Sequence, residues 1–403
     1  MLNTILDFMA GGFLQLSIWQ LILTFLVMAQ VTIAGVTLYL HRSQAHRGVD
    51  MHPVLSHFFR LWLWMSTGML TKDWVAVHRK HHAKCETKDD PHSPMVEGIN
   101  KILFDGVSLY RKETENQETL EQYGRGTPDD WVENKVYSRY KRAGIMLMLL
   151  INLALFGVVG LSIWALQMIW IPFWAAGVIN GLAHFWGYRT FHTPDTATNL
   201  TPFAFWIGGE ELHNNHHAFP SSAKFSIKPW EFDIGWMYLR ILSALGLAKI
   251  KKVAPMPIIN ASDKHIDLDT LKAVFTNRLH VMASYARKVT RPVLKEHKLS
   301  ASDACSCTYR KLKSLLVRDQ RMMDDSARNE LNAVLDSSDQ LNTVYQFRLQ
   351  LQQVWERTAT SHEHLVQALK DWCAQAEATG IQVLEDFAQH LREYSLRPVQ
   401  QAV

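Results

Sequence analysis

The sequence predicts an all-α fold: membrane-embedded helices over residues 1–255 and a soluble helical extension over residues 256–403. Three observations carry this reading. The stretches Phe8 to Leu40 and Ala143 to Tyr188 contain no Asp, Glu, Lys or Arg. The last third is polar and charged, with Leu365, Ala368, Leu369 and Trp372 recurring at helical spacing. Eight of the 19 histidines fall into three short clusters, each at or beyond the end of an apolar segment.

The first apolar stretch accommodates one span, since a transmembrane helix needs about 20 apolar residues. No Lys or Arg precedes Arg42. A cleavable signal would begin with positive charge, so a retained span is expected. The stretch from Ala143 to Tyr188 is long enough for two spans with a turn near Gly157 to Trp164, giving about three in all. Lys141 and Arg142 precede it and Arg189 follows it. Cytoplasmic loops are enriched in Lys and Arg. The N-terminus is therefore expected outside, and Arg42 onward and the C-terminal third in the cytoplasm. A multi-pass protein of a bacterial inner membrane is the expected setting. Pro53 to Leu70 is apolar but carries His57 and Arg60, and reads as a re-entrant or interfacial helix. That keeps the histidine clusters on either side of it on one membrane face. Trp230 to Leu247 reads as a second interfacial helix, and Lys249, Lys251 and Lys252 mark a linker.

A net charge of +4 over 403 residues is mild. It lacks the clustered basic face of a nucleic-acid binder and suits an anionic bilayer surface. Cys85, Cys305, Cys307 and Cys373 form no CxxC pair, which speaks against a zinc ribbon or a thioredoxin-like site. Nothing suggests a disulfide scaffold, and a reducing compartment is the simpler reading.

The clusters are His41-Arg-Ser-Gln-Ala-His46, His78-Arg-Lys-His81-His82 and His213-Asn-Asn-His216-His217. Residues at i, i+3 and i+4 share a helix face, so the second and third boxes are each expected to present three imidazoles in one direction. The i, i+5 spacing of the first places its rings about 140° apart on an α-helix. That suits a pair reaching round a metal from a helix end, or a helix that unwinds there. A lone histidine is usually a surface residue or a hydrogen-bonded core residue, and His52, His57, His92 and His192 are read that way. Eight converging imidazoles without a metal would repel one another when protonated and gain nothing when neutral. Neutral imidazole ligates first-row metals. Eight exceed the four ligands of one zinc, so two metals are implied, and open positions suit iron that must bind O₂. A lipid-derived substrate fits boxes beside spans. Its unactivated methylenes have no acidic proton, and removing their hydrogens is metal chemistry.

These residues resemble the integral-membrane fatty acid desaturases, specifically the acyl-CoA Δ9 branch. The likeness runs from about Gln20 to Leu247. It rests on His41-Arg…His46-Arg47, Trp74…His78-Arg79…His81-His82, Asp90-Pro91-His92 and Gly209-Glu210-Glu211…His213-Asn214…His216-His217…Phe219-Pro220. The resemblance implies a cytoplasmic, histidine-rich di-iron cap on the membrane helices. It adds Asn180-Gly-Leu-Ala-His184, with His184 as a ninth ligand and Asn180 holding a metal-bound water. An ionisable residue at the end of an uncharged span is functional by default, which supports His184 independently. The implied reaction takes O₂ and two electrons, removes two vicinal hydrogens from a long-chain fatty acyl-CoA or another acyl carrier, and yields a cis alkene and two waters. A bent tunnel fixes the position of attack, which is catalysis by orientation. Phe25 and Ala29 are placed at its far end, and Trp74 beside the substrate. Arg111 and Lys112 match a basic pair that contacts the CoA head group. Two departures stand out: Ala76 and Val77 occupy the positions of an Arg-Asp pair that contacts CoA in eukaryotic members, and the extra first span of those members has no room here.

Beyond about Asn260 the likeness ends. There is no His-Pro-Gly-Gly haem motif and no cysteine cluster for an iron–sulfur centre. Electrons are therefore expected from a separate ferredoxin- or cytochrome-like donor with its reductase. Trp355 to Tyr394 faintly resembles a helical tail of some transposases, without a catalytic carboxylate set; partner docking or self-association is the modest reading. Two other functions compete. A membrane di-iron hydroxylase of alkanes, sterols or fatty acids would share the first hydrogen abstraction, but Asn180–His184 and the three-span layout favour desaturation. A metal transporter would place its site at the midplane rather than at the membrane face.

Overall fold

The computed structural model describes residues 2–261, 265–300, 306–356 and 361–396; Cys305 lies outside them. Two compact units result. One comprises Met1–Arg189 with Asp195–Ala254, the other Thr190–Pro194 with Pro255–Val403.

In the first unit α1 (Leu2–Gly11) precedes α2 (Ile18–Ala34), whose start is fixed by a capping box between Ser17 and Gln20. α2 runs without a break into a π-helix over Gly35–Ala45. The continuous helix Ile18–Ala45 has 28 residues and is long and apolar enough to cross a bilayer, as is Val159–His184 with 26. Between them lie α3 (Pro53–Ser66), α4 (Thr71–Lys84), α5 (Pro94–Glu97), α6 (Ile99–Thr114), α7 (Gln117–Tyr123) and α8 (Ala143–Phe156). α8 is apolar but only 14 residues long. Gly157, at φ 64°, turns the chain into α9 (Val159–Ile171). The left-handed conformation there costs a residue without a Cβ little. Pro172 lacks an N–H to continue the α-helical ladder, and a second π segment, Pro172–Ile179, follows. It packs closely on α6: a Cβ on Gly177 would meet the Leu103 carbonyl oxygen at 2.8 Å, and one on Gly106 the Ala176 oxygen at 3.0 Å.

The third box lies on α10 (His213–Ala218), and α11 (Ile234–Ala244) is capped by the Asp233 side chain. Strand β1 (Val49–Met51) pairs antiparallel with β4 (Ala248–Ile250), and β2 (Phe203–Ala204) parallel with β3 (Phe232–Asp233). Lys249, Lys251 and Lys252 are thus not a free linker. Val49 pairs with Ile250, and the Lys251 and Lys252 amides both donate to the Gly48 oxygen.

The second unit holds α12 (Leu268–Thr276), α13 (Arg278–Tyr285), α14 (Arg291–Ser300), α15 (Ser306–Leu315), α16 (Asp325–Asp336), α17 (Asp339–Glu356), α18 (His362–Glu377) and α19 (Gln382–Arg392). Asp267, Asp324 and Ser361 cap α12, α16 and α18 with their side chains. β5 (Ile258–Ile259) pairs with β6 (Tyr394–Ser395). The core gathers Tyr285, Leu351, Leu369, Trp372 and Phe387. The buried polar tips are satisfied by backbone: Tyr285 Oη donates to Val344 O at 2.6 Å and Trp372 Nε1 to Phe347 O at 3.0 Å.

Candidate metal centre

The first box ends the π segment of α2. A π-helix closes i→i+5 hydrogen bonds, and the His46 amide donates to the His41 oxygen at 3.0 Å. The two rings therefore meet edge-on one turn apart, with centroids 4.9 Å apart. The spacing that would separate them on an α-helix brings them together here, and the helix widens rather than unwinds.

Boxes two and three each divide their rings between two clusters. His78 and His82, one α-turn apart on α4, join His41, His46 and His216 in the first. His81 turns about 100° from His82 and joins His184 and His217 in the second. On α10, His213 and His217 face the second cluster while His216 faces the first. In the first, Nε2 atoms meet in sequence: His41 to His216 at 3.0 Å, His216 to His82 at 2.9 Å, His82 to His78 at 3.1 Å and His78 to His46 at 2.9 Å. In the second, His213 Nε2 lies 3.0 Å from His184 Nε2 and 3.1 Å from His217 Nε2. The clusters adjoin, with the His82 and His217 rings 4.5 Å apart.

Protons alone do not satisfy this arrangement. One N–H serves one neighbour, yet the Nε2 atoms of His216, His82, His78 and His213 each face two. A metal–imidazole bond of about 2.0–2.1 Å places adjacent ligands of one ion roughly 3 Å apart, and the observed separations fit. Carboxylates on the opposite ring edge complete the fit. Glu210 Oε1 accepts a hydrogen bond from His41 Nδ1 at 2.7 Å, Asp90 Oδ1 from His81 Nδ1 at 2.9 Å, Glu86 Oε1 from His184 Nδ1 at 3.1 Å, and Asp195 Oδ2 from His217 Nδ1 at 3.2 Å. Such partners fix the tautomer and aim Nε2 at the ion. Burial, then neighbouring imidazoles, push His78, His82, His213 and His216 well below the usual histidine range. Their lone pairs stay available at neutral pH. Burial also disfavours charge on His81, but Asp90 outweighs it and the net shift is upward.

Sequence reasoning found the nine rings and missed much that holds them. Asp90 and Glu210 lay inside quoted motifs without a role. Glu86 and Asp195 carried no signal, because they reach rings 98 and 22 residues away. His92, read as an ordinary surface or core residue, is buried and stacks on His81 with centroids 4.4 Å apart, its Nε2 unpartnered. Cys85 Sγ lies 3.9 Å from His81 Nε2, at the edge of the second cluster; its i+4 spacing from His81 was the available clue. Trp74 stacks on His78 at 4.8 Å and meets His41 edge-on. Asn180 ends the π segment that precedes His184; no hydrogen bond among the described residues ties its side chain to the rings. Ala29 is buried in α2, and Phe25 meets Trp170 edge-on at 5.4 Å. Arg111 and Lys112 are exposed near the end of α6, while Ala76 and Val77 are fully enclosed in α4.

A buried ion pair braces the first box, one residue from His41. Arg42 donates to both Asp233 oxygens, at 3.0 and 2.9 Å, and to Ala223 O and Gly208 O. Its guanidinium lies 3.8 Å over the Phe225 ring, which itself packs against His216. Asn215, between the box-three histidines, bonds Asn199, Glu231 and Phe225 O, fixing the pitch of α10.

Residues 17–243 match the family model "Fatty acid desaturase", and residues 270–397 match one described as "Transposase". Delta-9 acyl-lipid desaturase 1 of Arabidopsis thaliana is 30% identical over 234 residues, covering 57% of this chain and 74% of that protein. The acyl-CoA C20 Delta5-desaturase of Anemone leveillei is 34% identical over 231 residues, 54% of this chain and 69% of its own. The sn-1 stearoyl-lipid 9-desaturase of Anabaena variabilis is 29% identical over 225 residues, 55% and 79% respectively. By their names these relatives act on acyl-lipid and acyl-CoA substrates and place the bond at carbon 9 or 5. The family model spans more than half the chain, centred on a paired histidine cluster able to bind metal, and the chain belongs to the fatty acid desaturase family.

Proposed function

We propose that the protein is an O₂-dependent acyl desaturase that places a cis double bond at Δ9 of a long-chain fatty acyl-CoA. It would serve unsaturated fatty acid synthesis as a multi-pass protein of a bacterial inner membrane, N-terminus outside and C-terminus cytoplasmic, with three spans. The observation that carries the reading is the meeting of Nε2 atoms in two adjoining clusters. His41, His46, His78, His82 and His216 hold one iron ion, and His81, His184, His213 and His217 the other, with Asn180 acting through a water. Two iron ions, when bound, supply the O₂ reduction and hydrogen removal that no acid or base can perform on an unactivated methylene.

The chain's own residues hold and orient. Glu210, Asp90, Glu86 and Asp195 keep the Nδ1 protons in place, so each ring offers its lone pair inward. Trp74 walls the first cluster and guides the acyl chain past it. Phe25 and Ala29 close the far end of the tunnel. Arg111 and Lys112 hold the CoA phosphates from the exposed end of α6. With Ala76 and Val77 buried, the head group relies on that pair more heavily than in eukaryotic members.

Expression in a host lacking its own desaturase, followed by mass-spectrometric profiling of fatty acids, tests this. A new cis monoene is expected, lost in His81→Ala and His217→Ala. Metal-loaded protein that leaves the host profile unchanged sinks the reading, and an alcohol in place of the alkene moves it to hydroxylation.

A further inference from the structure

Desaturation consumes two electrons for every O₂ reduced to two waters with the two substrate hydrogens and two protons, and the chain carries no haem or iron–sulfur motif to supply them. The surface beside the first cluster offers a place for that supply. An open recess of about 390 Å³ is lined by Ser43, Gln44, Arg47, Asp50, Gly126 and Lys251 among others. Its floor is the π-helix itself, since Ser43 and Gln44 lie between the ligands His41 and His46. His46 is only partly buried, and its Nε2 meets His78 Nε2 at 2.9 Å. The surface is thus one residue from the cluster.

The rim is basic by construction. Arg47 takes a left-handed backbone, φ 53°, rare for a residue with a long side chain. Its guanidinium donates to Arg125 O at 3.2 Å and lies where a side chain on Gly126 would stand. Arg79 donates to that same oxygen at 2.8 Å, and to Gln44 O, Ala45 O and Tyr123 O. Two guanidinium groups therefore share one carbonyl. The β1–β4 pairing brings exposed Lys249, Lys251 and Lys252 to the same edge. Among the lining residues Asp50 is the acid, and it is engaged by Lys251 at 3.1 Å. Like charges gathered by three separate chain segments cost stability unless a negative partner neutralises them. Their spread over a rim, rather than round one buried point, fits a protein face better than a single phosphate.

We propose that this recess docks an acidic one-electron carrier of the ferredoxin class, so that electrons enter through the box-one helix at His46. The proposal rests on the desaturase reading. Complementary charge acts chiefly on encounter and fades with salt.

The test uses full-length, metal-loaded protein in lipid, reduced acidic [2Fe–2S] ferredoxin as donor, and a small chemical reductant as control. In Arg47→Glu with Lys251→Glu, KM for ferredoxin is expected to rise about 10-fold or more. The salt dependence of kcat/KM for ferredoxin should flatten, while metal content and turnover with the small reductant hold. Lys249→Glu with Lys252→Glu, both exposed, should shift KM in the same direction if the first pair disturbs folding. An unchanged ferredoxin KM with a raised KM for the acyl substrate overturns the proposal in favour of a substrate phosphate site. Equal loss with both reductants also overturns it, as does wild-type turnover with the small reductant but none with ferredoxin. Alkene formation by wild type with the small reductant checks the desaturase reading separately.

Discussion

At the residue scale, the imidazoles are distinguished by what stands behind them. In the second cluster Asp90, Glu86 and Asp195 back three rings, whereas in the first Glu210 backs His41. Asp90 is also well fastened: Glu86 and His92 amides donate to it, and His81 with these bonds outweighs burial to hold its carboxyl well below the usual range. Asp90→Asn keeps the shape but loses the charge that makes His81 a strong donor. Metal affinity of the second cluster should fall about 10- to 100-fold with the first retained. Metal-to-protein ratios after dialysis against graded chelator check this; equal loss from both clusters would contradict it. Ala29 carries a second prediction. It is buried in α2, 12 residues before His41 along one continuous helix, on the face placed at the tunnel's end. Ala29→Trp should shift the product profile to shorter chains, and an unchanged chain-length distribution removes the assignment. The eight box rings were legible because they repeat at short intervals, whereas His184 stood out only through the family resemblance and its place at the end of an uncharged stretch. Glu86, Asp195 and the stacked His92 were not legible, since their partners are set by tertiary packing.

At the scale of elements, the centre depends on departures from the regular α-helix. Had α2 stayed α-helical to Ala45, His41 and His46 would point about 140° apart; the π segment brings them to one side. A sequence reading that assumes α geometry cannot see this, although the i, i+5 spacing is the mark that a π-helix leaves. The same limit applied to boxes two and three, where shared faces suggested one direction and the helices instead sit astride two clusters. Arg42 locks the π segment to the start of α11. With both side chains of the Arg42–Asp233 pair fully buried, Asp233→Ala leaves a guanidinium without its counter-charge. A loss of about 3–5 kcal/mol is expected, read as a lower unfolding temperature in detergent. With Asp233 intact, Arg42→Lys should also lower the unfolding temperature, because an ammonium cannot make the two-pronged contact.

At the scale of the whole molecule, each compact unit has buried apolar clusters of its own. Among the described residues one spans Ile266 to Tyr394, and four fall between Ile33 and Ala248. Their origins in the sequence differ accordingly. The first region was legible because a bilayer demands long uncharged runs and a metal demands clustered imidazoles. The second showed only helical periodicity, which fixes a core but names no chemistry. All nine rings and their four carboxylates lie in residues 41–217. A chain ending at Ala254 should therefore keep both metals and still form the alkene in a host without its own desaturase. Ending there leaves β4 paired with β1 and the Ala254 amide bonded to Ser222 Oγ at 2.9 Å, so the edge behind the first box stays closed. If the shortened protein enters the membrane with both metals bound yet forms no alkene, the extension takes part in turnover itself. If it binds no metal, residues 1–254 do not fold into the metal centre without the extension.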